Sequence, residues 1–169
     1  MATKTDFTPE AWQAIIAAPT AIGQLVIMAS FGVGDVIKEG KALNQQMNAL
    51  VQQPGDLPLL VAVAADIKQK LDEEAERVKS HKPYRVESSE KQDPAAQKAQ
   101  LLAGLQAAIA AVDATATPQE AAQLKQWLYG VGDAVAKAAK EGDFFGMGGQ
   151  QVSAAEAAVL VEIKTVLGL

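Results

Sequence analysis

The sequence predicts an all-α protein of about six helices, arranged as two duplicated three-helix units that form one bundle-like domain. Three observations favour this fold class. Alanine, the best helix former, is abundant while aromatic residues make up only 5% of the chain. Apolar residues recur at steps of three and four. The turn-rich pattern of β-sandwiches is missing. A chain of 169 residues is also long enough to bury a hydrophobic core.

The first unit, residues 1–79, contains a start or stop signal for each of its helices. Thr8-Pro9-Glu10 opens the first helix, and Pro19 is expected to end it. The apolar run from Ala21 to Gly34 predicts a helix that is buried on all sides. The same helix is expected to continue past a kink, or a close helix contact, at Gly32 and Gly34, and Pro54-Gly55 ends it. The third helix has one apolar stripe, and its other face carries three predicted ion pairs: Asp66/Lys70, Lys68/Asp72 and Glu73/Arg77.

Residues 80–93 form the predicted linker, because they show no periodicity and are rich in charged residues, proline and serine. The second unit, residues 94–169, begins after Asp93, which is expected to cap the fourth helix. Thr117 with Glu120, and Ser153 with Glu156, are capping boxes that predict the starts of the fifth and sixth helices.

Four segments of the second unit repeat the first unit in the same order. Glycine inside a helix costs about 1 kcal/mol relative to alanine, so shared glycines indicate duplication and close packing between the units. The matched segments are Gln13–Ala18 with Gln106–Ala111, Gly32–Asp35 with Gly130–Asp133, Lys38–Gly40 with Lys140–Gly142, and Val63–Lys68 with Val159–Lys164.

The charge balance bears on several classes of partner. A net charge of −5 argues against nucleic acid, whose affinity comes largely from Lys and Arg. It also disfavours an anionic membrane surface. The absence of cysteine excludes disulfides and thiolate metal sites. With a polar N-terminus that lacks the pattern of a signal peptide, we expect a cytoplasmic protein. Membrane insertion of residues 21–34 is the alternative interpretation of the apolar run.

Catalytic chemistry has little support in the sequence. The only histidine, His81, lies in the predicted linker and has no serine motif to pair with. The glycine-rich loop from Gly142 to Gly149 matches neither a dinucleotide-binding fingerprint nor a P-loop. Its Phe144 and Phe145 are expected to anchor the loop in the core. We therefore expect a protein that is not an enzyme.

Acidic residues in the repeat suggest a metal site. A two-fold relation between the units would bring Asp35 and Asp133 into equivalent positions, followed by Glu39 and Glu141. Such a carboxylate cluster would suit Ca²⁺ or Mg²⁺, which prefer oxygen ligands. In the competing interpretation, each aspartate lies at a helix end or break, where the helix dipole favours a negative charge.

An apolar ligand is a further alternative. The hydrophobic run of residues 21–34 would line a pocket for a lipid or another small apolar molecule between the two units. The same residues would equally fill an ordinary core.

The C-terminal segment resembles a known group of bacterial proteins. A glycine-rich loop, Val152-Ser153-Ala154-Ala155-Glu156, an apolar helix and Leu167-Gly168 are similar to helix ends of the TerB-like (tellurite-resistance) superfamily. That resemblance covers roughly the last quarter of the chain, and it implies a helical, internally duplicated bacterial protein with acidic metal-binding residues. The loop here carries only Asp143 of the acidic residues that the family would have.

The leading functional prediction is a structural or interaction protein that binds a protein partner or a second copy of itself, and this prediction includes a role associated with stress.

Overall fold

The computed structural model describes residues 1–29, 33–79, 93–138 and 152–169, without the side chains of residues 33–37 and 78. These residues form six α-helices and no strand, so the predicted all-α class is confirmed. A single turn of 3₁₀ helix at Lys4–Asp6 precedes them. The helices are α1 (Pro9–Ala29), α2 (Val33–Gln52), α3 (Pro58–Lys79), α4 (Pro94–Thr115), α5 (Pro118–Ala138) and α6 (Ala154–Leu167).

α1 is the central helix, because it packs against each of the other five. Its Trp12, Ile15, Ile22 and Leu25 are almost completely buried. It is also the one helix in the described ranges that is long and apolar enough to cross a membrane, with a mean hydropathy of 1.5. Of that apolar stretch, 56% is buried inside the fold. This burial is typical of a core helix, which satisfies the same criteria of length and composition.

The prediction that Pro19 ends the first helix is wrong, since α1 runs through Pro19 to Ala29. Proline inside a helix removes one hydrogen bond and costs about 3 kcal/mol. The helix nevertheless continues because its apolar face extends on both sides of the proline, with Ile15 and Ile16 before it and Ile22 after it. Each such side chain contributes about 1.5–3 kcal/mol when fully buried, which together exceeds the cost of the proline.

The predicted helix starts in the second half of the chain are confirmed. The Asp93 carboxylate accepts a hydrogen bond from the Ala95 N–H at 3.3 Å. In the capping box of α6, the Ser153 N–H donates to Glu156 at 2.6 Å, and the Glu156 N–H donates to the Ser153 hydroxyl oxygen at 3.2 Å. Each contact satisfies a backbone N–H that has no partner within the helix.

One glycine of the repeated motif is required by packing. A Cβ added to Gly132 would lie 3.1 Å from Cγ2 of Ile22 and 3.2 Å from Cδ2 of Leu160. The absence of a side chain therefore lets α5 lie against α1 and α6. A Cβ added to Gly130, two residues earlier, would have no neighbour within 4 Å among the residues that the structure describes.

The ion pairs of α3 differ in part from the predicted set. Lys68 and Asp72 form their predicted pair on the exposed surface. Asp66, however, pairs with Lys4 at 2.7 Å rather than with Lys70, and it also accepts a 2.7 Å hydrogen bond from the indole N–H of Trp12. Asp66 thereby joins α3 to the start of the chain and to α1.

Candidate functional site

An open groove of about 340 Å³ lies between α1 and α4, and we call it the α1–α4 groove. Half of its lining residues are alanine or glycine, so another molecule can approach the helix backbones there. Its lining residues are Ala14, Ala17, Ala18, Ala21 and Gln24 of α1, with Gln97, Gln100, Leu101, Gly104 and Leu105 of α4.

The two helices that form the groove carry no charge along most of their length. Residues 11–29 of α1 and 99–112 of α4 contain no Asp, Glu, Lys or Arg. By contrast, α3 has nine charged residues among its 22. The charges nearest the groove on α4 lie at the ends of its neutral stretch, where Lys98 pairs with Glu162 and Asp113 pairs with Lys125, each at 2.6 Å. A surface depleted of charge is typical of the central part of protein interfaces.

Three glutamines supply the polar groups of the groove. Gln24 and Gln100 are exposed, and Gln97 is half-buried. A glutamine amide both donates and accepts hydrogen bonds but does not titrate. The groove therefore offers hydrogen bonds to peptide groups or amides of another molecule, and its lining contains no group for acid–base catalysis or for pairing with a charge.

Gly104 is an unusual residue for its place in the groove. It is exposed in the middle of α4, and an added Cβ would meet no atom within 4 Å. A glycine there costs the helix about 1 kcal/mol relative to alanine, although no packing within the described part of the chain requires it. Glycine at an exposed helix position permits another backbone to approach closely.

The predicted metal ligands are only partly described. Asp133 lies in α5 and pairs with Lys137 of the next turn at 2.6 Å. Glu39 lies on the buried face of α2. Asp35 is in α2, but its side chain is outside the described residues, as is all of Glu141. Within the described ranges, no group of three or more histidine, aspartate or glutamate side chains is placed to hold a metal ion. The Ca²⁺ or Mg²⁺ site therefore stays a prediction.

Glu120 is a buried carboxylate with a structural role. It closes the predicted capping box of α5, accepting from the Thr117 hydroxyl at 2.8 Å and the Thr117 N–H at 3.1 Å. It also accepts from the backbone N–H of Ala2, a contact that the sequence analysis missed. Burial by itself raises the pKa of Glu120, but the hydrogen bonds from Thr117 and Ala2 outweigh burial and hold the pKa below its ordinary value.

Several other predicted features lie outside the described residues. These are the linker with His81 and the glycine-rich loop with Phe144 and Phe145. The α1–α4 groove was not predicted, although the two charge-free stretches that flank it are visible in the sequence. The expectation that residues 21–34 are buried on all sides is wrong for the described part, since Gln24 is exposed and Met28 is 37% exposed.

Comparison with known proteins gives no relative: no family model, curated protein or solved structure matches the chain.

Proposed function

We propose that this chain is a helical interaction protein without catalytic activity, and that it binds another protein through the α1–α4 groove. The observation that carries the proposal is the absence of charged residues from 11–29 of α1 and from 99–112 of α4, in a chain whose residues are 21% charged. Exposed surface of a soluble protein is normally rich in charged side chains, whereas the centre of a protein interface is depleted of them.

The composition of the groove favours a protein over other ligands. Without Lys or Arg, the groove has no group to neutralise the phosphates of a nucleic acid. Its exposed alanines and glutamines offer little apolar area to a bilayer. A small-molecule site normally encloses most of its ligand, and this groove is open. A partner helix, by contrast, fits an open groove between two helices.

The proposed duplication is supported by matching burial in the two units. Trp12, Ile15, Ile16 and Pro19 are buried in α1, and the residues 93 positions later are buried in α4. Those residues of α4 are Leu105, Ala108, Ile109 and Val112. The repeat also matches buried residues of α3 with buried residues of α6: Val63, Ala64 and Ile67 in α3 with Val159, Leu160 and Ile163 in α6.

Two ion pairs also occur at corresponding places. Asp66 of α3 binds Lys4, which lies just before α1, at 2.7 Å. Glu162 of α6, which matches Asp66 in the repeat, binds Lys98 in the first turns of α4 at 2.6 Å. Each pair joins the third helix of a unit to the start of the same unit. If the units are duplicates, the α1–α4 groove lies between their two first helices.

The units differ in where their helices are joined. α4 ends at Thr115 and α5 begins at Pro118, whereas α1 runs to Ala29 and α2 begins at Val33. The repeated glycine motif consequently begins α2 but lies well inside α5. A duplicated pair would therefore have diverged in how the first and second helices connect.

Site-specific photocrosslinking tests the proposed function. A photoreactive amino acid at Gln100, which is exposed and lines the groove, is compared with the same amino acid at Ala65, which is exposed on the charged α3. We expect a discrete crosslinked species in extracts of producing cells from position 100 only. No species from position 100, or identical species from both positions, would contradict the assignment of the groove.

The sequence also predicted two alternative functions, binding of a small apolar ligand and binding of a metal ion. The groove lies at the boundary between the two predicted units and includes Ala21, so it is also where a small apolar ligand would bind. Saturable binding of an apolar fluorescent probe that Ala21→Glu abolishes would favour that alternative.

For the metal alternative, calorimetric titration with Ca²⁺ or Mg²⁺ should release or absorb heat, and Asp133→Asn should remove that heat.

A further inference from the structure

We propose that the peptide bond between Met1 and Ala2 is hydrolysed in the mature protein, and that the α-ammonium group this leaves on Ala2 forms an ion pair with the buried carboxylate of Glu120. The water oxygen joins the carbonyl carbon of Met1, which becomes a carboxylate, and both water protons go to the nitrogen of Ala2. A methionine aminopeptidase catalyses this hydrolysis, and it requires a small residue after the methionine, as alanine is. The inference is independent of the α1–α4 groove.

The carboxylate of Glu120 is fully buried and accepts hydrogen bonds from neutral groups only. Thr117 donates its N–H and its hydroxyl to Oε2, and the N–H of Ala2 donates to both carboxylate oxygens. Among the residues that the structure describes, no Lys, Arg or His forms an ion pair with Glu120. Burying a carboxylate is costly unless a positive charge compensates it. A positive charge on the nitrogen of Ala2 would provide that compensation.

The geometry around the nitrogen of Ala2 suits an ammonium group better than an amide. Its single N–H is shared between Oε1 at 3.1 Å and Oε2 at 3.2 Å, and Oε1 has no other donor among the described residues. An ammonium group has three N–H donors, so each oxygen would receive a hydrogen bond of its own. Such charge-assisted bonds shorten to about 2.7–2.9 Å and are roughly twice as strong as neutral ones.

Met1 contributes little to the fold that its removal would cost. It is 85% exposed, whereas Ala2 is 3% exposed and packs into the hydrophobic core. The chain is held again directly after Ala2, because the N–H of Thr3 donates to Asp6 at 2.8 Å in the 3₁₀ turn. A chain that begins at Ala2 therefore keeps both of these contacts and exchanges one exposed apolar side chain for a buried ion pair.

The order of synthesis makes the bond accessible before folding covers it. Ala2 is buried in the folded protein, but its partner Glu120 lies 118 residues later in the chain. Ribosomes add about 5–20 residues per second, so the start of the chain is accessible for at least about 6 s before Glu120 has been made. Once the protein has folded, the contact with Glu120 covers the new α-ammonium group and protects Ala2 from further trimming.

Mass spectrometry of the intact protein and of its N-terminal peptide tests the cleavage. We expect the protein from producing cells to be lighter by one methionine residue than the chain of 169 residues, with a free amine on Ala2. A protein that keeps Met1, has residues before Met1 or carries an acetyl group on Ala2 would overturn the inference, because none of these has an α-ammonium group at Ala2.

A comparison of two forms of the chain tests the ion pair. Producing cells treated with an inhibitor of methionine aminopeptidase supply the form with Met1, and untreated cells supply the form that begins at Ala2. The melting temperature of the shorter form should be higher by roughly 2–8 °C. Glu120→Gln should abolish this difference, whereas Glu156→Gln, a matched change in the capping box of α6, should preserve it. Equal melting temperatures of the two wild-type forms, or a difference that persists in Glu120→Gln, would overturn the inference.

Discussion

The backbone N–H of Ala2 donates to both carboxylate oxygens of Glu120, at 3.1 Å and 3.2 Å, across a separation of 118 residues in sequence. Glu120 also caps α5 through Thr117. The carboxylate of Glu120 therefore accepts from the backbone N–H of Thr117 at the start of α5 and also binds the backbone of Ala2 to that end of α5. Ala2 is only 3% exposed in this arrangement and belongs to the core of the fold, although the residues on either side of it are exposed.

Glu120→Gln should lower the free energy of unfolding by about 1–3 kcal/mol, because the amide keeps one acceptor oxygen but loses the charge and the second acceptor. Urea denaturation monitored by circular dichroism measures the loss. The matched control is Glu10→Gln in the exposed first turn of α1, which should change the stability by less than about 0.5 kcal/mol. An equal effect of the two substitutions would contradict the role of Glu120.

Acid should remove the stabilisation that Glu120 provides. Its pKa is lower in the folded state than in the unfolded chain, so in acid the unfolded chain binds more protons. The contribution is complete above the unfolded pKa of about 4.3 and is lost as the pH falls through the folded pKa. The stability difference between wild type and Glu120→Gln should therefore shrink as the pH falls below about 4.3, as measured by urea titrations at each pH. A constant difference would show that the charge of Glu120 is not involved.

Asp66 should contribute more than its counterpart Glu162. Asp66→Ala leaves the indole N–H of the buried Trp12 without its acceptor, which should cost about 1–3 kcal/mol. Glu162→Ala breaks a pair whose side chains are 42% and 39% exposed, and such pairs contribute about 0–1 kcal/mol. Asp66→Asn, which keeps an acceptor, should restore part of the loss in thermal or urea denaturation. If Asn and Ala are equally destabilising at position 66, the hydrogen bond to Trp12 is unimportant.

The two glycines of the second repeated motif should respond in opposite directions to alanine. Gly130→Ala should stabilise α5 by about 1 kcal/mol, because the added methyl group meets nothing and alanine favours the helix. Gly132→Ala should destabilise the protein by about 1–3 kcal/mol, because its methyl group would press on the fully buried Ile22. The melting temperature should therefore rise in Gly130→Ala and fall in Gly132→Ala relative to the wild type. Stabilisation by both substitutions would mean that α1 and α6 can move away from Gly132.

The sequence predicted the helices well where local chemistry determines them. Asp93, Thr117 and Ser153 cap helices as expected, since a side-chain cap depends on residues within one turn. It failed at Pro19, where burial on both sides of the proline outweighs the local preference to end a helix. Asp66 was predicted to form an ion pair with Lys70, four residues away, whereas its partners Lys4 and Trp12 are distant in sequence. Such contacts depend on how helices pack, which periodicity alone does not determine.

The groove also depends on contacts between helices that are distant in sequence, so the sequence alone did not predict it. Its neutral stretches on α1 and α4 are separated by about 70 residues of sequence. Each alone is typical of a buried helix, and only the packing of α1 beside α4 shows that Ala17, Gln24 and Gly104 share one open surface. The metal ligands proposed from the repeat depended on a two-fold relation as well, and of the four only Glu39 and Asp133 have described side chains.

The most direct measurement of the central claim uses the absence of cysteine from the chain. A single cysteine in place of Gln100, which lines the α1–α4 groove, can carry a nitroxide label, and the same label in place of the exposed Ala65 on α3 is the control. We predict that an extract of producing cells reduces the mobility of the label at position 100, as measured by electron paramagnetic resonance, and leaves the label at position 65 as mobile as in buffer. Equal mobility of the two labels in the extract would contradict a protein interface in the α1–α4 groove.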